Sequence, residues 1–216
     1  FSKSSSVRAV NKQVSVVMQA GRILTVGRIA GLVTLWAGIV GITTVQAEPA
    51  VSESFVYYDV EPSGVSDLLA EINRRSPITE DDHVYHGHTG SRVDWRFWWR
   101  DQGAYCQITQ VEVNVTVTFT MPRLRSNNRD VLDIWHAWYP QLLQHEELHR
   151  DIALEAARDI ELQLPSFSAA TCSDLAADAN QWAQQRIADM RQQNRDYDDE
   201  TRHGGTQGAW LSDYLP

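Results

Sequence analysis

Apolar positions along this chain change their period, and each change marks an element. Residues 55–60 (Phe-Val-Tyr-Tyr-Asp-Val) have the β-branched and aromatic composition of a strand, closed by Glu61-Pro62-Ser63-Gly64. Residues 66–75 place Leu68, Leu69 and Ile72 on one face of a short helix capped by Ser66, which should end before Ser76-Pro77. A polar loop over 79–90 leads into an aromatic strand over 92–100. The clearest strand is 110–120, where Val111, Val113, Val115, Val117 and Phe119 alternate with polar residues, so one face is buried and the other wet. Pro122 is expected to end it.

From Asp130 the period becomes helical. Val131, Ile134, Trp135, Trp138, Leu142, Leu148, Ile152 and Ala156 recur at that spacing as far as about Leu164, and Pro140 should kink the stretch or divide it. A second long helix, over 173–198 and capped by Ser173, carries Leu175, Ala179, Ala183, Ile187 and Met190 inward. Strands followed by helices make an α+β fold: a small antiparallel sheet packed on one helix, with a long C-terminal helix. Trp95, Phe97 and Trp99 should share one face of the aromatic strand and pack in the core.

Residues 1–47 stand apart from this pattern. They hold five basic and no acidic side chains, and an apolar run over 29–45 precedes Val45-Gln46-Ala47, a small-residue cleavage pattern. This is the order of an export signal, or of a membrane anchor if uncleaved, and any membrane contact is expected through this segment alone. Residues 48–54 read as a linker and 55–216 as one domain. The domain belongs outside the cytoplasm, in the periplasm or secreted. Cys106 and Cys172, the two cysteines of the chain, are then expected to pair. The segment after residue 47 has 14 basic against 28 acidic side chains, a formal net charge of −14. Such a surface repels phosphate backbones, which excludes nucleic acid as a natural partner.

The candidate chemistry lies in the first long helix. His145-Glu146-Glu147-Leu148-His149 fits H-E-x-x-H. Residues four apart on a helix have Cβ atoms about 5–6 Å apart, so both imidazoles can reach one Zn2+ ion. Glu146 lies beside that position, where it can take a proton from a water on the metal. A third ligand is needed. Glu155 occupies the place of a metzincin's third histidine, but Ile152 stands where that motif has the glycine that turns the chain, so the helix should continue past it. The ligand should come from the last helix or the tail, where Asp189, Asp196, Asp198, Asp199, Glu200 and His203 are available. His203, Glu200 and Asp198 are the foremost of these. The loop histidines His83, His86 and His88 read as a solvated loop rather than a second site.

With these residues in view the chain resembles a bacterial family, domain of unknown function 922, described as predicted secreted zinc-dependent proteases. Tyr57-Tyr58-Asp59, Trp95-Arg96-Phe97, Thr120-Met121-Pro122, the zinc motif and Tyr197-Asp-Asp-Glu-Thr-Arg-His-Gly204 carry the likeness, in that order. The resemblance implies a zincin-like fold whose sheet edge can pair with an extended peptide, and it favours His203 as third ligand. The expectation is an exported peptidase acting on a peptide or protein substrate, with Glu146 as general base. The competing expectation is a non-catalytic envelope protein, binding or structural, that zinc merely stabilises.

Overall fold

The computed structural model describes residues 9–11, 48–80 and 82–216. The expected export segment lies outside the described residues except for a short strand, β1 (Ala9–Asn11). No described helix is long and apolar enough to cross a membrane.

The chain enters the domain through β2 (Ala50–Val60), which begins inside the segment read as a linker. Helix α1 (Val65–Arg75) follows, with Leu68 and Ile72 fully buried. It starts one residue earlier than expected and has no side-chain cap; the Asp67 carboxylate instead accepts from the backbone N–H and hydroxyl of Ser63. The polar loop contains a small hairpin, β3 (Ile78–Glu80) and β4 (His83–Tyr85). Two long strands come next, β5 (His88–Asp101) and β6 (Cys106–Leu124). Then come α2 (Arg129–Gln163), a two-residue strand β7 (Ser168–Ala169) and α3 (Cys172–Thr201).

The main sheet has the order β1-β5-β6-β2, with β7 paired to the start of β6. It is mixed, not antiparallel throughout. β5 and β6 form an antiparallel hairpin, whereas β2 runs parallel to β6 over its whole length. The reason lies in the connection: α1 and the β3–β4 hairpin carry the chain from β2 to the far side of β6, so β5 descends and β6 rises alongside β2. Pro122 lies within β6, past the last residue paired with β5, where the strand has a neighbour on one side only and proline is tolerated.

The period-two pattern of β6 and the helical stripes of α2 and α3 meet in one core. Val111, Val113, Val115, Val117 and Phe119 are buried, as are Trp95 and Phe97, while Trp99 packs partly buried at the edge of that cluster. α2 runs unbroken through Pro140, because its buried stripe continues on both sides, from Val131 and Trp138 to Leu142 and Ala153. Asn128 caps it, its side chain accepting from the N–H of Asp130 and Val131. α3 is capped by Thr171, two residues before the expected Ser173. Ala153, Ala156 and Ala157 of α2 and Ala179 and Ala183 of α3 are fully buried, and such small side chains let two helices approach closely.

Cys106 and Cys172 form a disulfide that ties the start of α3 to the start of β6. Their separation of 66 residues makes the closed loop long, and the Cys172→Ser variant is expected to lose about 2–5 kcal/mol of stability, read as a lower urea midpoint.

His86 offers a second prediction. Its Nε2–H donates to Asn73 Oδ1, its ring meets the edge of Trp138, and burial pushes its pKa from 6.5 down to about 4. The folded state therefore favours neutral His86. The contribution is present above about pH 6.5 and is lost as pH falls towards about 4, where the unfolded chain binds the extra proton. Thermal midpoints measured across that window should fall less steeply in His86→Phe than in the unsubstituted protein.

Candidate metal centre

The site forms where the middle of α2 meets the C-terminal end of α3. His145 and His149 lie one helical turn apart on α2, and both are buried. Facing them, Asp198 projects from the last turn of α3. Its Oδ1 lies 3.3 Å from His145 Nε2 and 3.1 Å from His149 Nε2. Among the described residues this trio is a group of ligand atoms that could hold a metal ion, all within 4.8 Å of one another. The other such group contains Cys106 and Cys172, whose sulfurs are committed to the disulfide.

The outer nitrogens of both rings are held. Asn194 Nδ2 donates to the Met190 carbonyl at 2.8 Å, which turns its Oδ1 towards His149 Nδ1 at 2.7 Å. Gln207 Oε1 lies 2.9 Å from His145 Nδ1 and also accepts from the Tyr197 hydroxyl at 3.0 Å. Both acceptors call for a proton on Nδ1, which leaves both Nε2 lone pairs directed at a carboxylate oxygen. Three electron-rich atoms that converge in this way repel one another unless a proton or a metal ion lies among them. The donor set, two imidazoles and one carboxylate, suits a divalent ion such as zinc. Without one, protons must serve. Burial works to raise the Asp198 carboxyl, but hydrogen bonds from His145 and His149 outweigh it and hold the group well below the usual carboxylate range. For His149 burial pulls the imidazole down, and its contacts with Asp198 and the charge of Glu146 bring it above its ordinary value.

Glu146 points from α2 towards the sheet, not towards α3. It is almost fully buried, and that desolvation raises its carboxyl above the normal value; the neighbouring His149 and the hydrogen bond from Thr89 pull the other way. Thr89, at the start of β5, places its hydroxyl 2.8 Å from Glu146 Oε2.

The expected third ligands separate in space. Asp198 joins the two histidines. His203 stands at the rim: its side chain is 40% exposed, its Nδ1 lies 3.8 Å from the same Asp198 Oδ1, and its ring faces Tyr85. Glu200 is solvent-exposed. Glu155 is exposed on a helix that continues past it, as the isoleucine at 152 led us to expect. His83, His86 and His88 are not gathered into a ligand cluster among the described residues. The tail that follows α3 folds back over His145. Gly204 has φ +79°, and a Cβ there would lie 2.6 Å from the Ala209 Cβ and 3.1 Å from the His145 ring. Only glycine fits both the conformation and the contact.

Over residues 55–204 the chain matches a family model described as bacterial protein of unknown function (DUF922). The chain belongs to the DUF922 family. No curated protein matches it, and no solved structure does. The DUF922 match takes in His145, Glu146, His149, Asp198 and His203; Gln207, which braces His145, lies just beyond it.

Thr89, Asn194 and Gln207 escaped the sequence reading. Asn194 had a usable signal, since it precedes Asp198 by four residues and so repeats on α3 the spacing of the two histidines on α2. Thr89 and Gln207 had none, because they reach the site through the sheet and the tail. Tyr197, the first residue of the motif that carries the family likeness on α3, has its ring stacked on His145, and its hydroxyl lies 3.0 Å from His145 Nδ1 while donating to Gln207.

Loss of a brace should weaken metal binding without unfolding the DUF922 domain. Asn194→Ala and Gln207→Ala are each expected to lower zinc affinity by about 10–100-fold, measured by competition with a chromogenic chelator.

Proposed function

We propose that this chain is an exported zinc-dependent peptidase in which Glu146 is the general base. The observation that carries the reading is the convergence of two imidazole Nε2 atoms and one carboxylate oxygen beside a buried carboxyl group. His145, His149 and Asp198 would hold the ion. Zinc so held supplies Lewis acidity, which polarises a scissile carbonyl and lowers the pKa of water.

The remaining work falls to the chain's own groups. Gln207 and Asn194 fix the tautomers of His145 and His149, so the Nε2 atoms stay free of protons. Burial of Glu146 raises its proton affinity, which suits a group that must take a proton from the attacking water and give it to the leaving amine nitrogen. His203, partly exposed beside the cluster and in ring contact with Tyr85, marks a side from which a polypeptide substrate would reach it. Export is part of the proposal. It is supported by the order of basic, apolar and small residues in 1–47 and by the disulfide, which persists in an oxidising compartment.

One observation favours the other reading, a zinc-stabilised binding or structural protein. His203 Nδ1 lies 3.8 Å from Asp198 Oδ1, and although it stands outside the ligand group, a turn of its partly exposed side chain would bring in a fourth ligand and close the coordination sphere. The Glu146→Gln variant separates the two. As a peptidase it should keep its zinc and lose at least about 100-fold in hydrolysis of an internally quenched peptide library. Unchanged hydrolysis in that variant would sink the peptidase reading. Absence of hydrolysis by the unsubstituted zinc-loaded protein would favour the structural one.

A further inference from the structure

β5 touches the candidate catalytic turn of α2 through one side chain. Thr89 Oγ1 lies 2.8 Å from Glu146 Oε2 and 2.9 Å from the Glu146 backbone carbonyl oxygen. A hydroxyl has one proton to donate and two lone pairs with which to accept. While Glu146 is a carboxylate, both neighbours are acceptors, and the charged one makes the stronger bond. Once Glu146 takes the proton on its other oxygen, Oε2 is the carbonyl oxygen of the acid and still accepts from the Thr89 hydroxyl. The same hydrogen bond persists in either state, and no heavy atom has to move.

The other carboxyl oxygen is defined by what is missing. Gly87 approaches it so closely that a Cβ would fall 2.6 Å from Glu146 Oε1 and 3.0 Å from its Cγ. Gly87 has no need of positive φ, so its value here is space. Strand and loop therefore meet the two oxygens of Glu146 differently, one with a hydroxyl and one with bare backbone. At this depth little solvent can replace either contact.

We propose that Thr89 is a positioning residue for Glu146: its hydroxyl holds the carboxyl group in one place before and after proton transfer, and Gly87 leaves room for the oxygen that reacts. The proposal rests on the peptidase reading. In that reaction the proton leaves water as its oxygen bonds to the carbonyl carbon. It resides on Glu146, then passes to the amine nitrogen as the carbon–nitrogen bond breaks. Valine is nearly isosteric with threonine but can neither donate nor accept, whereas serine can do both.

The test uses the full chain, disulfide-intact and zinc-loaded, with the internally quenched peptide that the unsubstituted protein cleaves fastest. Thr89→Val should lose about 10–100-fold in kcat while KM and zinc affinity stay within about twofold. Thr89→Ser should recover most of that loss, and Gly87→Ala should reproduce it by displacing Oε1. Thermal midpoints of the metal-free variants provide a readout that does not depend on turnover, and Thr89→Val and Thr89→Ser should differ far less there than in kcat. The proposal is overturned if Thr89→Val retains its kcat, or if Thr89→Ser is as impaired as Thr89→Val. It is equally overturned if the loss in Thr89→Val follows falls in zinc affinity and thermal midpoint, since the role is then structural. No cleavage of any library peptide by the unsubstituted protein is a different result, one that removes the peptidase reading and this proposal with it.

Discussion

The packing of α2 against α3 is the contact on which the candidate site depends. Neither helix carries a complete ligand set. α2 supplies two imidazoles, α3 supplies the carboxylate, and the two come within 3.3 Å because fully buried alanines keep the helices close. The disulfide fixes the start of α3 on the sheet. From Cys172 to Asp198 the helix rises about 39 Å, so a rigid rod anchored at one end delivers its ligand at the other. A salt bridge between Arg186 and Asp159 joins the helices part-way along.

Burial of so many polar groups needs compensation, and each brace has a different source. Asn194 comes from α3 itself, Gln207 from the tail and Thr89 from the sheet. The tail is held by Gly204 packed against His145 and by the Trp138 indole, which donates to the Ala209 carbonyl at 2.8 Å. Three separate parts of the chain thus converge on one turn of α2. Such a turn is rigid on every side except the rim, where His203 is partly exposed, and rigidity of this kind favours both tight metal binding and a fixed carboxyl group.

The elements were legible wherever a long segment kept one period. β6 and both long helices follow from their apolar repeats, and the glutamate and two histidines of the motif follow from helical spacing alone. Where several readings were compatible with the local sequence, the fold chose among them. Pro140 could have divided α2, but the core stripe on either side of it held the helix together. Residues 48–54 look like a linker, yet most of them pair with β6, because a parallel neighbour supplies hydrogen bonds that their composition does not announce.

The sequence by itself marked the helix that carries the candidate site, the two histidines of it placed to share a metal ion and the glutamate placed beside them, because these depend on spacing within a single helix. It also narrowed the candidates for a third ligand to residues of the last helix and the tail. Tertiary structure alone decided that Asp198 faces the two histidines while His203 stands at the rim, and that Thr89, Asn194 and Gln207 brace the site. These are contacts between residues 45 to 62 positions apart, and no local period encodes them. They are set by how closely two helices pack, where a mixed sheet places the start of β5, and how a glycine turn brings the tail back.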